Sequence, residues 1–144
     1  SQEAIAWSRD FYETVGKRSV VLKKEIEGYI ANRFQMVVFE EALRLVEDGI
    51  CDWEAIDLSI TEGPGLRWPF LGSLSTNHLA GGKGGLAHAI DMWGWQGSEE
   101  SRASALASIA ERFGHMPMAE LESWRDDNLM RLIKGRRAVP PAKT

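Results

Sequence analysis

"GYIANRFQMVVFEEALRLVEDGI", residues 28–50, reads as one long helix from about Ile26 to Asp48, apolar on nearly every side, with Gly49 as its stop. Asn32 and Arg33 sit one turn inside its start, and Glu40 and Glu41 lie near its middle. A buried amide left unpaired costs ~1–3 kcal/mol, so polar groups on a helix that seeks burial must find partners. Two readings of Asn32 stand on the residues alone. Either it satisfies loop carbonyls while Arg33 meets a carboxylate, or it faces a cleft and donates a hydrogen bond to a ligand oxygen.

On the N-terminal side, "QEAIAWSRDFYETV" (2–15) places Ala4, Ile5, Trp7, Phe11 and Val15 at helical spacing, with Gly16 as a C-cap. "KRSVVLKK" (17–24) is a β-branched run flanked by charge and predicts a short strand. A lone strand has no partner in its own chain, so its backbone groups must pair with another chain, another part of the protein, or water.

On the C-terminal side, Asp52 is the expected N-cap of a shorter helix with Trp53, Ile56 and Ile60 on its apolar face and Glu54 in its first turn. "EGPGLRWP" (62–69) breaks that helix, and a turn of helix followed by a loop is expected after Gly72. "GGLAHAIDMWGW" predicts a helix with Leu86, Ile90 and Trp93 on one face. Ser98, followed by Glu99 and Glu100, opens a helix reaching about Phe113, ended by "GHMP". A last helix spans about Ala119–Lys134, with Leu121, Trp124, Leu129 and Leu132 for packing and Arg136 and Arg137 past its end.

Composition sets outer bounds. A net charge of -4 with no basic stripe before the tail argues against nucleic acid, and no run approaches a membrane span. Cys51 stands alone, so there is no disulfide framework, and a cytoplasmic setting is expected. Glu40 has Arg44 four residues on, an ion-pair spacing, and no histidine lies at ligand spacing from either glutamate, so no metal site is expected. His78, His88 and His115 are far apart and fit no metal motif. "GGKGG" (81–85) lacks both the P-loop spacing and a preceding strand, and reads as a connection between helices. In "GPGLRWPFLG" (63–72) Arg67 either binds a carboxylate through two parallel hydrogen bonds or clasps the loop by an ion pair or an aromatic face.

Residues 28–72 resemble the start of the C-terminal domain of 3-hydroxyacyl-CoA dehydrogenases. The resemblance is carried by Gly28, Tyr29, Asn32 and Arg33, then Glu41, Ala42 and Gly49, then Ile56 and Asp57, then Gly63 and Gly65. The "GLRWPF" loop is most similar to the branch containing lambda-crystallin, L-gulonate 3-dehydrogenase and L-carnitine dehydrogenase. The likeness is specific over residues 15–75, weaker to about 95, and generic beyond.

The resemblance implies an all-α, multi-helix domain like the 6-phosphogluconate dehydrogenase C-terminal domain, with one short N-terminal strand left from an absent Rossmann domain. Residues 1–24 would be the last helix and strand of that dinucleotide-binding domain, 25–137 the helical substrate and dimerisation domain, and 138–144 a disordered tail. It implies NAD-dependent oxidation of a 3-hydroxy to a 3-keto compound, a chemistry of fatty acid metabolism. The NAD site and a catalytic His–Glu pair would lie in the N-terminal domain, which leaves no catalytic residue here. Asn32 would reach the substrate near the nicotinamide, Arg33 would brace the helix start, and Arg67, Trp68 and Ser73 would contact substrate. Implied partners are a second copy, the Rossmann domain, and a small 3-hydroxy acid or acyl-CoA. One departure stands out: the family's Met-Gly-Pro is Leu71-Gly72-Ser73 here, which frees the loop and adds a hydroxyl. The rival reading is a non-catalytic helical module used for assembly.

Overall fold

The structure, a computed structural model, describes residues 1–135. The disordered tail expected at 138–144 lies outside the described residues, as do Arg136 and Arg137. The described chain is all helical, with seven α-helices and two short 3-10 turns. It divides into two compact units, Ser1–Cys51 and Asp52 onward. The long helix groups with the segment before it.

The first unit holds α1 (Gln2–Thr14) and α2 (Tyr29–Glu47). Ser1 caps α1, its Oγ accepting from the Ala4 amide at 3.2 Å. Along α1, Trp7 stacks on Phe11 with ring centroids 5.5 Å apart, and Tyr12 meets Phe11 edge-on. Residues 17–24 form no strand, and none occurs among the described residues. The cause is the one the sequence raises: an extended segment becomes a strand only when a neighbour supplies ladder hydrogen bonds. Two successive left-handed residues, Gly28 (φ 76°) and Tyr29 (φ 51°), turn the chain into α2. The left-handed region is rare for a bulky side chain, so the turn marks a constrained helix entry. On α2, Ala42 is buried while Phe34, Met36, Val37 and Phe39 are exposed. Arg44 bonds Glu41 at 2.8 Å, one helical step from the Glu40 partner expected. Both spacings lie within reach on a helix, and rotamer choice settles between them.

The second unit begins with α3 (Trp53–Glu62), capped by Asp52, whose Oδ1 accepts from the Ala55 amide at 2.8 Å. A 3-10 turn (Pro64–Leu66) follows, then α4 (Ser73–Ala80), α5 (Gly85–Trp93), α6 (Glu99–Phe113) and α7 (Met118–Gly135). The segment after Gly72 is thus a full helix, longer than the single turn expected, because Ser75 and Leu79 both find burial along it. Ser98 caps α6 by accepting from the Ser101 amide. Leu71, Leu79, Leu86, Ile90, Ile109, Phe113 and Leu121 make one core, with Leu71 and Leu121 at 0% and 1% exposure. Full burial of one such leucine stabilises the fold by roughly 1.5–3 kcal/mol.

Trp95, and not the expected Trp93, packs on this core; Trp93 is exposed. Gly94 (φ 83°) ends α5 and redirects the chain, so the later indole turns inward. Its Nε1 donates to the Ser98 carbonyl (3.1 Å) and the Ser101 hydroxyl (3.2 Å).

Candidate functional site

The first turn of α2 carries Asn32, exposed to solvent three residues beyond the left-handed Tyr29. Exposure removes the need for internal partners and leaves the amide able to offer hydrogen bonds outward. Arg33 is also exposed, and its stem passes beside the turn: a Cβ on Gly28 would sit 3.6 Å from Arg33 Cγ.

Arg67, Trp68 and Ser73 belong to the second unit and lie close in sequence on the connection from α3 to α4. Backbone hydrogen bonds and a buried side chain hold the connection. The Arg67 carbonyl accepts from the Phe70 and Leu71 amides at 3.1 and 2.7 Å, and Leu71 is wholly buried. Phe70 meets Trp124 of α7 edge-to-face, with centroids 5.7 Å apart. Arg67 is half-buried and its Nε has no hydrogen-bond partner, while Trp68 is 49% exposed. A guanidinium whose inner nitrogen is dry costs stability unless other interactions offset it. Ser73 is exposed at the first position of α4, with Gly72 as N-cap. A helix's first position is where proline fits best, since its amide has no partner inside the helix. Serine there keeps the helix start, so the departure from the family pattern leaves the loop anchored by Leu71.

Asn32 and the three loop residues therefore sit on different units. A shallow cleft of about 340 Å³ lies in the first unit between α1 and residues 19–21, where Arg9 and Tyr12 are the ionisable side chains of its wall. None of the four candidate residues lines it. Among the described residues, no three His, Cys, Asp or Glu side chains converge as a metal site would require.

"GGKGG" joins two helices: Gly82–Gly84 form a 3-10 turn between α4 and α5. The His78 ring stands against its last glycine, Gly85, and no strand precedes it, so it does not fit a dinucleotide phosphate cradle. The fold supplies hydrogen-bond partners for two of the three histidines. His78 Nδ1 accepts from the Leu86 amide at 3.0 Å, and its ring stacks on Phe113 at 5.9 Å. His88 Nδ1 lies 2.9 Å from the Gly81 carbonyl, to which it donates. Burial lowers the pKa of His78 below the ordinary imidazole value. Phe113 lies 35 residues beyond His78 in sequence, so no local pattern could have paired them.

The model of the 3-hydroxyacyl-CoA dehydrogenase C-terminal domain matches residues 28–122, beginning at the left-handed turn and ending in α7. An L-carnitine dehydrogenase of Nocardiopsis dassonvillei is 37% identical over 97% of this chain and 46% of its own length. Another, from Streptomyces coelicolor, is 50% identical over 63% of this chain and 29% of its own length. A 3-hydroxyacyl-CoA dehydrogenase of Gibberella moniliformis is 32% identical over 100% of this chain and 50% of its own length. No solved structure matches. The chain spans about half the length of the curated relatives it matches at full coverage. L-carnitine dehydrogenase is a named member of the branch that the "GLRWPF" loop resembles. With most of its length inside the matched region, the chain belongs to the 3-hydroxyacyl-CoA dehydrogenase family, as its C-terminal domain.

Proposed function

We propose that this chain is the substrate-side half of an NAD-dependent dehydrogenase that oxidises a 3-hydroxy group to a ketone on a small hydroxy acid or acyl-CoA. The observation that carries the reading is Asn32, the family motif's asparagine, standing exposed on the first turn of α2. Its amide would orient the reacting carbon of the substrate, a positioning role. Arg67 would take a carboxylate and Trp68 would pack against the substrate's carbon skeleton, with Ser73 at the rim. The half-buried guanidinium beside an exposed indole supports a small carboxylated substrate over a long thioester.

NAD and the proton-accepting residue would come from a Rossmann domain of the same parent protein, to which residues 1–24 would belong, while 25–137 would form the substrate and dimerisation domain. Exposed apolar side chains on both helices of the first unit, Trp7, Phe11, Phe34 and Val37 among them, support a covering partner. No described helix is long and apolar enough to cross a membrane. A cytoplasmic homodimer is the assembly proposed.

The test is kinetic. The chain alone, mixed with NAD and a panel of 3-hydroxy acids including L-carnitine, should form no NADH. The same chain fused behind a dinucleotide-binding domain from a relative should turn over. Turnover by the chain alone overturns the division of labour; a silent fusion that binds NAD favours the assembly module.

A further inference from the structure

Two imidazoles bridge the corner where α4 meets α5, and of the two only His78 accepts a hydrogen bond there. His78, near the end of α4, accepts the Leu86 amide of α5 on Nδ1 at 3.0 Å. An accepting Nδ1 carries no proton, which assigns the proton of the neutral ring to Nε2. The ring is held on two further sides. It lies parallel to Phe113 of α6, and the Gly85 backbone (φ +58°) comes so near that a Cβ there would stand 2.6 Å from His78 Cε1. Gly81, at the end of α4, approaches the Gly85 carbonyl too closely for any side chain. The corner leaves the ring little room to move aside.

We propose that His78 is a proton-operated latch: neutral, it caps the first turn of α5 and holds the α4–α5 corner shut; protonated, it releases it. Protonation converts Nδ1 from acceptor to donor, so the Leu86 amide would face another N–H and its bond is lost. The new charge would also meet the positive end of the α5 dipole. The cause of the lowered His78 pKa is burial, and Glu111 of α6 and His115 just past that helix are exposed. On α6, Arg112 lies 5.0 Å over the Phe113 ring and donates to Ser75 of α4 at 3.4 Å. On α5, His88 is bonded to the Gly81 carbonyl, and Asp91 lies 3.8 Å from Arg102. Lys83 of the connecting turn is exposed. On α7, Glu120, Glu122 and Arg125 flank the buried Leu121, and Arg125 is paired with Asp126 at 2.8 Å. No other residue of α4 titrates in this range. The latch stands whether or not the parent protein is a dehydrogenase.

The sign follows from linkage. The released ring binds a proton near the ordinary value of about 6.5, and the latched ring resists it. Closure is therefore fully stable above that value and weakens as pH falls below it. The experiment is imidazole NMR on the full 144-residue chain together with hydrogen exchange at the Leu86 amide, corrected for intrinsic rates. His78 should show the Nε2–H tautomer and titrate below about 6.5. The opening constant at Leu86 should rise by up to about tenfold for each pH unit below that point. His78→Asn, whose Oδ1 stands where Nδ1 accepts the bond and which does not titrate, should flatten that dependence. An Nδ1–H tautomer, titration at or above the ordinary value, or a slope that survives in His78→Asn overturns the latch. Should the asparagine variant fail to fold, the tautomer and titration of the native ring still decide the matter.

Discussion

Asn32 and Arg67 differ in what their surroundings allow. Asn32 stands exposed on a first helical turn, free of internal obligations, whereas Arg67 is half-buried with its Nε unbonded. In the parent dehydrogenase proposed above, Asn32→Ala should lower turnover tenfold or more, a loss of ~1.4 kcal/mol or above in transition-state stabilisation. Steady-state kinetics with unchanged turnover would remove Asn32 from the site. Arg67→Lys keeps the charge and removes the planar fork, so it should raise KM for a carboxylated substrate severalfold while leaving thermal stability close to native. If stability collapses and KM holds, Arg67 is a clasp for its loop. That outcome would restore the second of the two readings its sequence allows.

At the scale of elements, the tight junction of α4 and α5 rests on glycine for two separable reasons. Gly82 and Gly85 both adopt left-handed φ, but open space surrounds the first and the His78 ring crowds the second. Gly82→Ala should therefore cost backbone strain alone, of order 1–3 kcal/mol. Gly85→Ala should cost measurably more in urea unfolding, because the added methyl must also displace the imidazole. Equal costs would mean that the ring moves freely, against the parallel stack on Phe113. Helix caps follow simpler rules. Asp52 and Ser98 each accept an amide three residues on, at positions visible as an acid or hydroxyl before an apolar-periodic run.

For the whole molecule, the distribution of apolar surface points outward. Unit two buries a continuous leucine-rich core, while α1 and α2 leave large aromatic and β-branched side chains in water. Natural monomers seldom expose so many together. The chain on its own should self-associate, giving a sedimentation-derived mass above 16.1 kDa that rises with concentration. A monomer at high concentration would show that these faces need no second copy.

Helix positions, the Asp52 and Ser98 caps and the family were legible in the sequence because they rest on local rules: 3.6-residue periodicity, Asp and Ser before a first turn, and motif residues that recur from Gly28 to Gly65. What failed depended on partners distant in the chain. The "KRSVVLKK" run has strand composition, yet composition cannot supply the ladder neighbour a strand requires. Trp93 and Trp95 have equal claims on the core until the backbone turn at Gly94 chooses between them. His78 acquires its bond, its stack and its proton sensitivity only when α5 and α6 are folded against α4. Local hydrogen bonding and side-chain periodicity act over a few residues and are written in order along the chain. Burial and long-range pairing depend on which surfaces meet, and only the tertiary structure decides that.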